Sequence, residues 1–403
     1  MVDEIWITGY GLVSPLGATT ERCWERLEAG TSTGTRHPRC GYAYHPVVDF
    51  DPQAFVQRRA DVRQMGDLML YSTAAASKAL HHAGLTAGAE ALSRLQICIC
   101  ADGGERDVAA DEAALAAVFA AAVAPAGNSD ATLNEQLMRA RPSHFLTQLP
   151  NLIPSNICIV NGFSAPSRTL MGTEATSVEA LRDAARRIAA GQGELFLVGS
   201  SKNAADMGAL VNYSSDGVLA HDPPDSVWSE AGTGYCLASA GAFVVVEAAA
   251  HARRRGATPL ARVASVDTSV GARGASTDCE RRLLARWQHA TPRAPRNLGV
   301  LSGITGHGDL ARRERNFLSG VQAAGVRISA RATARIQGHS VEAAFFSNLV
   351  LAVMCLERRR LFAPLDAAEP LERVALDGPL TDVLVTAWGT TAAAGFAQLE
   401  AVA

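Results

Sequence analysis

GFSAPSRTLMGTEATSVEALRDAARRIAAGQGELFLVG, residues 162–199, passes through three kinds of pattern in succession. Residues 162–172 are rich in Gly, Ser, Pro and Thr, the composition of turns. From 175 to 190 the apolar residues Val178, Leu181, Ala185 and Ile188 recur at helical spacing, and Gly191 ends the run. Residues 194–199 are short, apolar and bounded by glycines, as a buried strand is. With the short apolar segment 156–160 in front, the order predicted is strand, turn, buried helix, strand.

The same alternation extends in both directions. Residues 5–14 predict a strand closing on a Gly-rich turn, after which Thr19 or Thr20 can cap a helix ending at Gly30. Residues 65–82 and 111–124 read as helices and 95–101 as a strand. The polar, Pro-containing stretch 211–231 reads as a surface excursion, and 235–248 as a strand pair or one bent strand leading into a basic helix. The remainder repeats the plan more compactly: strands at 260–269, 298–303, 326–330, 383–387 and 394–402, and helices at 280–290, 310–323 and 341–359. Alternation of this kind implies an α/β protein with parallel-type sheets covered by helices. It also implies two duplicated halves, 1–250 and 251–403, although no residue-level repeat is visible.

Composition narrows the function classes. The chain has 403 residues, 48% of them hydrophobic and 19% charged, with a net charge of −3. That balance fits a globular protein and argues against a nucleic-acid partner. No apolar run reaches the ~20 residues of a membrane span, and no signal peptide is visible, so the expected location is cytoplasmic. The eight cysteines show neither CxxC pairs nor Cys/His clusters, so no metal and no cofactor is expected.

Five segments, in order, carry a family resemblance. ITGYGLVSPLG (7–17) is followed by a helix containing Trp24. ELFLVGS (194–200) ends a strand in Gly. ASAGAFVVVEAAAHARRRG (238–256), Gly338-His339 followed by VEAA (341–344), and residues 385–396 complete the set. Together they resemble the ketosynthase branch of the thiolase superfamily, the β-ketoacyl-carrier-protein synthases. The resemblance implies a thiolase-like five-layer αβαβα fold. It also implies a dimer whose two-fold axis pairs the strand Ser167, Arg168, Thr169, Leu170 and Met171 with its copy in the partner.

The resemblance also implies a site, and here the letters depart from the family. Condensing enzymes of this type place a cysteine at the N-terminus of the central helix, where the helix dipole favours a thiolate. The matching position is Glu174, and a carboxylate cannot hold an acyl group as a thioester. The family's first histidine falls on Ser302, with His307 five residues on as a less suitable candidate. Its lysine falls on Ala334, and its second histidine on His339. Trp388 stands where the family has a gating aromatic.

The loss of nucleophile, histidine and lysine resembles that of chain-length factors. The implied role is a non-condensing partner that pairs with an active ketosynthase subunit, meets acyl carrier protein through that complex, and shapes the acyl tunnel in type II polyketide, polyene or long-chain fatty-acid synthesis. Two alternatives stand beside it: a stand-alone malonyl decarboxylase or acyltransferase using Glu174 and His339, and a homodimeric acyl-chain binder.

Overall fold

The structure is a computed structural model that describes residues 4–125, 127–139, 145–271, 276–291, 294–390 and 393–402. Its strands are, in chain order, β1 (Ile5–Val13), β2 (Thr35–Arg36), β3 (Ala43–His45), β4 (Leu95–Ala101), β5 (Ser167–Met171), β6 (Leu195–Lys202), β7 (Leu237–Ala238), β8 (Ala240–Ala248), β9 (Ala261–Val270), β10 (Asn297–Leu301), β11 (Arg327–Arg331), β12 (Asp382–Trp388) and β13 (Ala393–Glu400). Ten of them form one sheet in the order β11-β10-β12-β13-β9-β1-β8-β6-β4-β5.

The two ends of that sheet have the same grammar. From β1 outward the pairings with β8, β6, β4 and β5 run antiparallel, antiparallel, parallel, parallel. From β9 outward the pairings with β13, β12, β10 and β11 repeat that sequence. A short antiparallel contact between β1 and β9 joins them. The duplication expected from the sequence is therefore visible in topology. The sheets are mixed, however, not parallel-type, because strands buried on both faces read as continuous apolar runs in either orientation.

Helices Glu174–Ala189 and Ala344–Glu357 lie in the middle and touch strands from both ends of the sheet. Helix Asp67–His82 covers β1, β6 and β8 on one outside, and helices Ser276–Ala290 and Gly308–Gln322 cover the other. The result is five layers, helix on sheet on helix on sheet on helix. Val178, Leu181, Ala184 and Ile188 of the central helix are all buried. Each large apolar side chain so buried contributes roughly 1.5–3 kcal/mol. Gly11 sets the spacing of an outer layer, since a Cβ there would stand 2.0 Å from the Ala75 carbonyl of the covering helix.

Three segments depart from the sequence reading. Residues 156–160, expected as a strand, belong to helix Ile153–Asn161, which has Pro154 in its first turn and Gly162 as a left-handed cap. The expected excursion at 211–231 begins inside helix Met207–Ser215. The helix expected over 341–359 begins with a 3-10 turn, Val341–Ala343, before Ala344–Glu357.

Candidate functional site at the start of the central helix

β5 leads into the central helix through Gly172 and Thr173. Gly172 has φ +150°, a conformation that a side chain would strain. That turn delivers Glu174 as the first helical residue, 4% exposed, against the helix N-terminus. Glu174 Oε1 lies 2.9 Å from His339 Nε2. An ionised carboxylate only accepts, so the imidazole N–H is the donor.

Burial pushes the Glu174 carboxyl up. The His339 hydrogen bond and charge outweigh it, aided by the residue's own N–H and the Thr173 hydroxyl, and hold the group below the ordinary carboxylate range. His339 is 2% exposed and held on all sides. Its N–H donates to the Cys236 carbonyl at 2.8 Å, its carbonyl accepts from Ala238 N–H at 2.9 Å, and its ring meets Tyr235 edge-on at 4.9 Å.

Ser302 and Ala334 come to the same place from the ends of β10 and β11. Together with His339, Thr333 and Asn348 they line a cavity of about 10 Å³, room for about one water molecule. Asn348 Nδ2 donates to the Ser302 carbonyl at 3.1 Å, and Thr333 Oγ1 donates to Asn348 Oδ1 at 2.7 Å. Ser302 also hydrogen-bonds Glu314, a fully buried acid whose carboxyl burial drives up to about 8, against the lowering effect of Thr386 and Ser302.

Glu314 is the residue that sequence reasoning missed. It accepts from Thr386 Oγ1 at 2.9 Å and from the indole N–H of Trp388. Trp388, expected as a gate, is fully buried against Phe317 and meets the site through that carboxyl. His307 lies just before helix Gly308–Gln322, half-buried, in a loop bridged to Thr233.

A second ionic group lies behind Ser177 and was also not foreseen. Lys202 Nζ sits 3.1 Å from Asp102 and 3.3 Å from Glu342, and Tyr213 OH donates to Asp102 at 2.8 Å. Burial depresses the Lys202 ammonium pKa, but the two carboxylates raise it overall. Burial lifts Glu342 to about 7, against Lys202. The available signal was composition: the chain has two lysines, Lys78 and Lys202, among 37 basic residues.

Expected to pair across a two-fold axis, β5 is the edge strand of the large sheet, with Met171 58% exposed. After β4 in the chain, helices Val108–Val123 and Ser129–Arg139 pack on each other and bury none of their residues. Leu115, Phe119, Val123, Leu137 and Met138 stand exposed on them. Among the described residues, no helix is long and apolar enough to cross a membrane.

A duplicated mixed sheet around two buried helices, with the site at the start of the first, defines a thiolase-like ketosynthase fold. Residues 2–252 match the family described as Beta-ketoacyl synthase, N-terminal domain, and the chain belongs to that family. It is similar to the 3-oxoacyl-[acyl-carrier-protein] synthase 2 of Vibrio harveyi, 24% identical over 63% of this chain and 60% of that relative. It is also similar to the putative polyketide beta-ketoacyl synthase 2 of Streptomyces cyaneus, at 26% over 64% and 60%. The matched region thus spans about 60% of the curated relatives' length. Over the full length of both chains, the fold matches the ishigamide ketosynthase/chain length factor at TM-score 0.78 and 18% identity. It likewise matches a beta-ketoacyl synthase from Burkholderia phymatum at TM-score 0.77 and 19% identity.

Proposed function

We propose that this chain is a non-condensing partner subunit, a chain-length factor. It pairs in the cytoplasm with an active 3-oxoacyl-acyl-carrier-protein synthase and shapes the acyl tunnel of polyketide, polyene or long-chain fatty-acid synthesis. Acyl carrier protein meets it through the pair. The observation that carries this reading is the state of the helix start. At the position that the sequence resemblance assigns to the nucleophile, a buried carboxylate is paired with His339, and the adjoining cavity measures only about 10 Å³.

Ser302 and Ala334 supply neither a second imidazole nor an ammonium to stabilise an oxyanion. The edge strand β5, and separately the exposed apolar residues of helices Val108–Val123 and Ser129–Arg139, support a partner of similar build.

The test is co-expression with the ketosynthase from the same gene neighbourhood, followed by size-exclusion chromatography with mass analysis. A one-to-one complex of two similar-sized chains that condenses only as a pair is the expected result. A homodimer that ignores the ketosynthase would overturn the proposal and return attention to Glu174 and His339 as a decarboxylase or acyltransferase site.

Within the pair, Glu174→Gln keeps an acceptor for the His339 N–H, so condensing activity should stay within a few-fold of the parent. A hundredfold loss would give Glu174 a chemical role. Glu174→Cys alone should not restore condensation, because Ser302 and Ala334 remain.

A further inference from the structure

The two lysines occupy opposite environments. Lys202 is clamped between Asp102 and Glu342. Lys78, near the end of helix Asp67–His82, borders a cavity of about 570 Å³ between β1, helix Thr20–Ala29 and the end of helix Ala344–Glu357. Its Nζ is held by two backbone carbonyls, Leu12 at 3.1 Å and Ala18, and lies 5.2 Å from the centre of the Phe55 ring.

The titratable groups around the cavity are Tyr10, Glu21, Cys23, His81, His82, Glu357 and Arg358. Glu357 is engaged by Tyr10 OH at 2.9 Å, and among the described residues no carboxylate forms an ion pair with Lys78. Two N–H donors of a neutral amine fit two carbonyls, which leaves the nitrogen lone pair as its remaining valence.

We propose that Lys78 is an N-acylation site whose amine takes an acyl group from a thioester entering this cavity. The lone pair of Nζ attacks the thioester carbonyl carbon and forms the C–N bond. The C–S bond breaks, its electron pair leaves on sulfur, and the proton released by nitrogen ends on that sulfur as a thiol. No electrons are exchanged with any other reagent, and the resulting amide keeps one N–H for a carbonyl. The environment supports the step: burial lowers the Lys78 ammonium to about 8, with Cys23 acting weakly the other way. At pH 8 about half of such an amine is neutral, against roughly 0.4% of an ordinary lysine. The proposal does not depend on the pairing proposal above.

The intact folded chain is incubated with the acetyl thioester of N-acetylcysteamine between pH 7 and 10, and the two lysine peptides are followed by mass spectrometry. Both lysines report in one sample, so no variant is needed for the comparison. Acetylation of Lys78 at least tenfold faster than of Lys202 is expected, rising through pH 8 and levelling above it. Lys78→Arg should remove that signal alone. Equal rates at the two lysines, or labelling of Lys78 that appears only after unfolding in urea, would overturn the proposal.

Discussion

His339→Ala should destabilise the protein by about 3–5 kcal/mol near pH 7, the usual effect of removing one partner from a buried pair. Glu174 is nearly fully buried, and His339 is the side chain that holds its carboxyl below the ordinary range. Without the imidazole, desolvation is opposed only by the residue's own N–H and the Thr173 hydroxyl, the smaller influences, and the carboxyl is driven upward.

The two proteins should therefore respond to pH with opposite slopes. In the parent the folded-state pKa of Glu174 is depressed. Its contribution is present above the unfolded value of about 4.3 and is lost as pH falls through the folded one. In His339→Ala the folded pKa is raised, so stability is lost as pH rises above about 4.3. Urea denaturation at pH 4, 5.5 and 7 reads this directly, with the gap between the proteins widening toward pH 7.

Glu174→Gln alone should cost about 1 kcal/mol, since its amide oxygen still accepts the imidazole N–H. Added to His339→Ala, it should recover most of the loss by removing the stranded charge. A double variant as unstable as His339→Ala would mean that the damage comes from the missing ring and its contact with Tyr235, and the charge argument would fail.

What the sequence revealed and what it hid follow one division. The central helix was legible because Val178, Leu181, Ala185 and Ile188 mark one face at local spacing, and Gly191 marks its end. The pairing of Glu174 with His339 was approachable because each sits in a short motif beside a turn. Residues 156–160 misled because the four-residue apolar run 157–160 fits either a strand or a buried helix face. Pro154 and Gly162, which bracket the helix, were the better signals.

Strand direction could not be read at all, since β4, β6 and β8 are buried over nearly their whole length whether their neighbours run with or against them. Glu314, Lys202 and Glu342 were hidden for another reason. Each is an ordinary charged residue on its own element, and becomes a buried one only through partners far away in sequence, such as Asp102 for Lys202, 100 residues distant. No local pattern announces that.

Glu314 carries the largest pH effect expected of the site. Its carboxyl titrates at about 8 in the folded protein, raised by burial in spite of hydrogen bonds from Thr386 and Ser302. An unfolded glutamate titrates near 4.3. Between those values the folded chain keeps a proton that the unfolded chain has released, so stability falls as pH rises through the window, by up to ~1.4 kcal/mol per unit. Glu105 and Glu342, both lifted to about 7 by burial, act in the same direction over a narrower range.

Glu314→Gln tests this because the amide reproduces the protonated acid. Its oxygen accepts from the Trp388 indole and Thr386, and its NH2 can donate to Ser302, without titrating. At pH 5 the variant should match the parent within about 1 kcal/mol. At pH 8 it should be the more stable protein by a few kcal/mol, with a flatter decline of the urea midpoint between. Parallel midpoint curves would show that Glu314 ionises normally and that the Ser302 side of the site carries a buried charge. The expected outcome leaves that side neutral at physiological pH. The Glu174–His339 pair would then stand beside an uncharged wall, with its own two groups as the charged ones nearest the helix start.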